Sequence, residues 1–459
     1  MAEISQINQR IHFVGIGGIG MSGIALILLR NGVRVSGSDL KENKVTDELK
    51  KLGASVFIGH NAVNVEGADL VVYSSAIKAD NPEIVEANRL GLVVIKRAEA
   101  LARLMQDKTV ITVTGSHGKT TTSSLVSLLL SEAGLRPTAA VGGILRNMET
   151  NAYAGDGKFF VAEADESDGS FLFYKPRYSI ITNIDHEHLD YYRTFENELD
   201  AFKRFISATE ESGCVFACYD DVNLRKMLRT SKIEHILFGL NASADIYPKN
   251  ISMNGLSCEF DCIYKNKQVS KFFLSLAGMH NISNSLSVIA LGLKLGISLE
   301  VIKKTLASYK GAGRRIEVKF ESDQFLVIDD YAHHPTEIKA TLKAVRNLDS
   351  KRVVAIFQPH RYTRTKLLMD EFGKCFTLAD KVIITDIYAA SEPEIKGINS
   401  NCICEKIKFN SPKKDVSYLA KDQLVEGLLK IVQPGDLVIT LGAGDIAKIC
   451  DEFVDELKK

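Results

Sequence analysis

Neither sign of charge predominates in this 459-residue sequence, where 57 Lys and Arg offset 57 Asp and Glu. That balance removes the electrostatic case for nucleic acid or an anionic membrane as the main partner. No apolar run reaches the roughly 18–20 residues that span a bilayer. The polar residues 1–10 lead straight into a strand-like segment without the charged-then-apolar pattern of a signal peptide, so a cytoplasmic location is expected. Cysteine is sparse: eight residues make no disulfide scaffold in a chain this long, and none forms a Cys-x-x-Cys pair. Cys214/Cys218 and Cys258/Cys262 repeat one interval, but Cys, Phe and Cys alternate there with period two, as on the inner face of a strand. Zinc is therefore not expected. Repeats of 20–50 residues and low-complexity tracts are also missing.

What is present is the composition of an ordinary folded protein, 45% hydrophobic and 25% charged. At ~100–200 residues per domain the length suggests two to four domains, with three the working number. Apolar β-branched runs alternate with helix-period segments almost throughout, the mark of parallel sheets covered by helices, the α/β class. Strands are expected at 11–14, 33–36, 69–73 and 108–114, and helices at 19–30, 46–52, 97–106 and 125–130. A β-rich stretch at 239–276 reads as an antiparallel addition, and a third alternating unit places strands at 325–328, 353–357, 382–385 and 437–441. The domain boundaries expected are 1–106, 107–312 and 313–459.

The sharpest motif follows the strand at 108–114: Gly115-Ser116-His117-Gly118-Lys119-Thr120-Thr121. A strand, a glycine turn, a Lys and a helix start form a phosphate cradle, in which backbone N–H groups and the helix dipole meet oxyanions. Lys119 would reach the β/γ-phosphates of ATP and Thr120 would sit on Mg²⁺. The spacing is shorter than the general Gly-x4-Gly-Lys-[Ser/Thr] pattern, yet a plain turn needs no Lys-Thr pair after its glycine. A second glycine turn, Gly15-Ile-Gly17-Gly18-Ile19-Gly20, also joins a strand to a helix, with Asp39 nineteen residues further on. It reads as a diphosphate at a helix N-terminus with an acid for a ribose, and leaves open which molecule carries the diphosphate. A ligand-free tight turn is the plain alternative, and an NAD-dependent oxidoreductase the functional one.

Two further strands empty into hard ligands, Glu163-Ala-Asp165-Glu166-Ser-Asp168 and Asp185-His186-Glu187-His188. Beside a phosphate loop such residues suit Mg²⁺, although a solvated acidic loop reads equally well. Asn281 and Asn284 stand a helical turn apart and can hydrogen-bond a purine edge or merely cap a helix. Arg314-Arg315, Tyr331-Ala332-His333-His334 and Arg361 with Arg364 follow consecutive strands, the two arginines placed to share a helical face and fork onto an anion.

Taken in order, these motifs, with Gly442-Ala-Gly-Asp445, resemble the Mur ligases of peptidoglycan synthesis over nearly the whole chain. The resemblance implies an N-terminal Rossmann-like UDP-binding domain, a central P-loop ATPase-like parallel sheet with the added β region, and a C-terminal Rossmann-like domain that closes over the site. It implies small-molecule substrates, UDP-N-acetylmuramate and L-alanine, with ATP and Mg²⁺. By position, Gly15, Gly17, Gly18, Ile19 and Gly20 hold the UDP diphosphate, with Ser38, Asp39, His60, Ser74 and Arg97 also on the UDP side. Gly115 to Thr121, Asn281, Asn284 and Arg315 fall to ATP, and Thr120, Glu163 and His188 to the metal. Tyr331, His333, Arg361 and Arg364 match the amino-acid side. Lys119, Glu163, His188 and His333 are the catalytic set, with His333 orienting or deprotonating the amine. Ser116 stands where the family usually has Thr, and Ala332 where it often has Gly; both keep small size. The carbamylated lysine of some relatives is not assigned to Lys203. A related ligase that attaches a preformed peptide is a further reading.

Overall fold

The computed structural model describes residue 4, residues 9–74, 76–348 and 350–459, the side chains of 189 and 190 excepted. Short β-branched runs form the first sheet: β1 Arg10–Val14, β2 Arg34–Asp39, β3 Ser55–Ile58, β4 Leu70–Tyr73 and β5 Val93–Lys96. All pair in parallel in the order β3-β2-β1-β4-β5. The order reverses at β1, so the turns after β1 and β4 flank a crevice at the carboxyl edge, where doubly wound sheets hold ligands. Both glycine turns carry a helix directly behind them, Ile19–Arg30 and Lys119–Glu132.

The second sheet is built from β6 Thr109–Thr114, β7 Thr138–Leu145, β8 Thr150–Tyr153, β9 Phe159–Glu163, β10 Tyr178–Ile181, β11 Cys214–Cys218, β12 His235–Phe238, β13 Ile246–Asn254, β14 Ser257–Tyr264 and β15 Lys267–Leu274. Its order is β15-β14-β13-β12-β11-β10-β6-β9-β7-β8. Strand β6 thus lies between β9 and β10, parallel to both, and the segments after these three strands emerge side by side. Two-residue turns join β13, β14 and β15, which therefore run antiparallel. The second turn, Lys265-Asn266, has both residues at positive φ (48° and 62°), the geometry that matches strand twist. This is the antiparallel addition expected at 239–276.

Helix Lys119–Glu132 is buried from Thr120 through Leu130 despite six hydroxyl residues. Three of its serines return their hydroxyls to carbonyls a turn earlier: Ser123 to Thr120, Ser124 to Thr121 and Ser127 to Ser123. That spares each one an unmet donor, while Leu125, Val126, Leu128, Leu129 and Leu130 each contribute roughly 1.5–3 kcal/mol of burial.

The third sheet comprises β16 Glu317–Glu321, β17 Phe325–Asp330, β18 Arg352–Phe357, β19 Lys381–Ile384, β20 Asp415–Tyr418 and β21 Asp436–Leu441, in the order β16-β17-β21-β18-β19-β20. Only β16 is antiparallel. Consecutive residues feed opposite cores: Ile328, Val353, Ala355 and Ile439 on one face, Val327, Val354, Ile356 and Val438 on the other. A sheet covered on both faces requires such unbroken apolar runs. The chain divides into two compact units. One holds residues 1–250, 260–273 and 282–312, with the first sheet and most of the second; the other holds residues 313–459 with 251–259 and 274–281. No helix of the described residues is long and apolar enough to cross a membrane.

The paired cysteines lie on β11 and β14, buried, as the alternation implied. Burial pushes the thiols of Cys214, Cys258 and Cys262 up to about 12. Of the eight cysteines, only Cys402 is partly exposed.

A buried polar cluster lies under the first sheet's crevice. Glu83, fully buried at the start of helix Pro82–Arg89, accepts from Ser38 Oγ (2.5 Å) and His12 Nε2 (3.4 Å) on one oxygen. Its other oxygen accepts from Asn64 Nδ2 (2.5 Å) and the Asn61 N–H (3.2 Å). Burial alone would raise this carboxyl, but the hydrogen bonds from His12, Ser38 and Asn64 outweigh it and hold the group at about 2. A depressed acid stabilises the fold above its unfolded value of 4.5, and that stability is lost as pH falls toward 2. We expect Glu83→Gln to lose about 3 kcal/mol at pH 7. Thermal unfolding at pH 7 and pH 3 should show the gap between variant and parent narrowing at the lower pH; a constant gap contradicts the assignment.

Candidate active site

The turn after β6 is held open by geometry that only glycine permits. Gly115 has φ 121°, and a β-carbon there would lie 2.3 Å from Thr182 Oγ1. Gly118, left-handed at φ 85°, precedes helix Lys119–Glu132, and the Asn284 amide lies against it, 2.8 Å from where a β-carbon would stand. The helix start has no side-chain cap, which leaves its first-turn N–H groups for an anion. The segment after β10 clamps the turn. Ser116 N–H donates to Asn183 O (3.0 Å) and His117 N–H to Asn183 Oδ1 (2.9 Å). Thr182 Oγ1 and Asn183 Nδ2 both donate to His117 O (2.6 and 3.0 Å), and Asp185 N–H donates to Ser116 Oγ (2.8 Å).

Lys119 reaches back over this turn, donating to the carbonyls of Gly115 (2.7 Å) and Ser116 (3.2 Å) and to Glu166 Oε1 (2.8 Å). Burial disfavours the ammonium, yet Glu166, Asp165 and Glu163 together hold its pKa above the ordinary lysine range. On the adjacent strand end Glu163 accepts from Thr120 Oγ1 (3.2 Å), Ser123 Oγ (3.3 Å) and the Gly142 N–H (3.0 Å). Burial raises the Glu163 carboxyl, against the pull of Lys119. His188 Nε2 stands 3.4 Å from Glu166 and 3.5 Å from Glu187, three groups whose donor atoms lie within 4.8 Å of one another. Glu166 Oε2 is buried without a hydrogen-bond partner among the described residues. Glu198, also buried, is pushed up to about 8 by burial first and then by Glu166, Glu187 and Asp185. So many buried acids around one lysine, with an oxygen left unmet, fit a hard divalent cation.

Thr120 and Glu163 are thus brought together, and His188 joins Glu166 and Glu187. Glu166, within the acidic motif after β9, and Asn183, just after β10, take part in the site without being among the residues expected from the sequence. Lys203 is exposed and paired with Asp200 (2.9 Å).

Across the first glycine turn, Gly17 N–H donates to Asp39 Oδ2 (2.9 Å), so the acid expected at a ribose also ties the turn. Arg97 lies over Gly20, where a β-carbon would stand 2.9 Å from its Nη1. Ser38 Oγ and His60 Nδ1 are 2.9 Å apart, while Ser74 Oγ accepts from the Ala76 N–H in a local turn (3.2 Å).

In the second unit, Arg314 is fixed by Asp329 (2.8 Å) and the carbonyls of Gly442 and Gly444. Arg315 faces Glu337 at 3.6 Å, and both guanidinium groups stack on Tyr331. Asn281 Nδ2 donates to Ala277 O (2.7 Å), a local bond. The His333 ring meets Tyr331 O and the His360 ring, and Arg364 Nη1 meets His360 Nδ1 (3.1 Å). Burial, then Arg364, drives the His333 pKa well below its ordinary value. Arg361 does not share a helical face with Arg364: it sits at φ 69° just ahead of helix Tyr362–Leu367, the strand end turning too sharply for the helix to begin earlier.

Removing the Asn183 side chain takes away both of its bonds to His117. Asn183→Ala should weaken binding of a nucleoside triphosphate about tenfold with the circular dichroism unchanged; unaltered affinity by calorimetry would show that the clamp does not matter.

Comparison with known proteins bears on the whole chain. Models described as the Mur ligase family catalytic domain, the Mur ligase middle domain and the Mur ligase glutamate ligase domain match residues 10–109, 113–292 and 314–444. A UDP-N-acetylmuramate–L-alanine ligase of Geotalea daltonii is 45% identical over 98% of both chains. One from Aquifex aeolicus is 44% identical over the same shares. The solved UDP-N-acetylmuramate-alanine ligase of Thermotoga maritima superimposes with a TM-score of 0.84 at 31% identity, covering 98% of this chain and 99% of that one. A murein peptide ligase from Psychrobacter arcticus shares the fold at a TM-score of 0.72 and 23% identity. Three domain models in sequence and relatives that align end to end agree with the nucleotide cradle at Lys119, and the chain belongs to the Mur ligase family.

Proposed function

We propose that this ATP-dependent ligase joins L-alanine to the lactyl carboxylate of UDP-N-acetylmuramate, with domains at 1–106, 107–312 and 313–459. The observation that carries the reading is the Lys119 turn, where an ammonium bonded over the glycine loop stands at an uncapped helix start beside Thr120 and Glu163. A free carboxylate is a poor acyl donor. Its attack on the γ-phosphate of ATP gives an acyl phosphate and ADP, and the alanine amine then displaces phosphate to form the amide.

Lys119 offsets the charge that gathers where carboxylate and triphosphate meet, and the turn's N–H groups hold the phosphates in line. Gly115 to Thr121 with Asn284 border the nucleotide, and Asn281 and Arg315 are assigned to it as well. Mg²⁺ would be held by Thr120, Glu163 and His188, with Glu166 alongside, and would neutralise phosphate oxygens. Gly15, Gly17, Gly18, Ile19 and Gly20 face the UDP diphosphate, with Ser38, Asp39, His60, Ser74 and Arg97 around it. Tyr331, His333, Arg361 and Arg364 are assigned to the amino acid. A histidine whose pKa lies well below its ordinary value is a neutral acceptor at pH 7 but too weak a base to keep an ammonium's proton. His333 therefore orients the amine. We place the reaction in the cytoplasm, where ATP is held.

A hydride-transfer reading leaves the Lys119 turn and the Glu163 cluster without a task. The 44–45% identity to L-alanine ligases favours a single amino acid over a preformed peptide. Phosphate release measured with ATP, Mg²⁺, UDP-N-acetylmuramate and each amino acid in turn should rise with L-alanine and not with a tripeptide; the reverse ranking refutes the reading. Lys119→Ala should lower ADP formation at least ~100-fold, and full turnover would remove the loop from the mechanism.

A further inference from the structure

The cluster around Glu83 fixes more than a fold. An ionised carboxylate only accepts hydrogen bonds, so the Ser38 hydroxyl at 2.5 Å must donate to it. With its proton committed, Ser38 Oγ can only accept from His60 Nδ1, 2.9 Å away. His60 Nδ1 also lies 3.5 Å from the same Glu83 oxygen, whose negative charge favours a proton on that nitrogen. In the neutral imidazole the proton therefore sits on Nδ1 and Nε2 keeps a bare lone pair. No hydrogen bond to that Nε2 is formed among the described residues.

His60 lies two residues beyond β3, and its ring is 12% exposed. With a diphosphate at the turn after β1 and a ribose at the end of β2, the base of a nucleotide extends over the ends of β2 and β3. Two large apolar side chains stand exposed at those ends, Leu40 at 69% and Ile58 at 53%, and Ile58 is the register partner of Asp39. Exposed apolar side chains at the same strand ends as a bare acceptor suit a planar base that presents an N–H.

We propose that His60, fixed by Glu83 through Ser38 as its Nδ1–H tautomer, is a specificity-determining residue that accepts the imide N3–H of uracil and disfavours cytosine. Cytosine offers a lone pair at N3, which would face the lone pair of His60 Nε2. A polar site left unpaired in this way discriminates against the wrong ligand far more strongly than a missing apolar contact does. Glu83 and Ser38 act as positioning residues, without needing to touch the ligand. The inference rests on the uridine-nucleotide reading of the first sheet given above.

The test uses the full-length protein. Long-range nitrogen NMR on ¹⁵N-histidine-labelled protein, with the His60 signals identified by their loss in His60→Asn, should show a protonated Nδ1 and a bare Nε2. Calorimetry with UDP and with CDP should give at least ~10-fold tighter binding of UDP, and in Ser38→Ala that ratio should collapse toward one. A protonated Nε2, or an undiminished ratio in Ser38→Ala, overturns the tautomer relay. If parent protein binds neither nucleotide, the uridine reading itself falls; if it binds both equally, only the base-selection inference falls.

Discussion

One ammonium set among buried carboxylates organises the central part of this chain. Lys119 faces Glu166 directly and Glu163 and Asp165 through the field they share. A buried charge unpaired in either direction is costly, so the turn, the end of β9 and the end of β10 must hold their mutual positions. Yet the account does not close, since the acids outnumber the lysine and Glu166 Oε2 stays without a donor. A site whose charges are incomplete by itself would be completed by the cation proposed above, which a polyphosphate could then share.

The same economy appears under the first sheet, where four donors saturate the two oxygens of Glu83. There the charge is fully met, and the cluster serves orientation instead. The two sites differ as their tasks differ: a saturated carboxylate can fix the proton of a neighbour, while an unsaturated one can receive a ligand.

Much of this was legible in the residues because parallel sheets put their chemistry in contiguous segments at strand ends. The alternation of runs placed β1, β6, β17, β18 and β21 within a residue or two, and the Gly115–Thr121 turn announced its helix. What escaped reading was short or polar. Strands β3 and β5 have only four residues each, exposed at both ends, so their apolar runs are short, and β16 is an edge strand with no fully buried position. The helix at 119 begins six residues before its leucines, behind a row of threonines and serines, of which Ser123 and Ser124 bond back to it. Glu83 was hidden by an ordinary helix-start signature, Asn81-Pro82-Glu83. Asn183 gives no local signal either, since its partner His117 is 66 residues away.

The burial of the sulfur atoms has a practical corollary. With seven thiols packed inside and those on β11 and β14 held far from the thiolate form, alkylating reagents have a single accessible target, Cys402 at the start of helix Ser400–Asn410. A fluorophore attached there reports on the second unit from the unaltered chain, with no cysteine to delete beforehand.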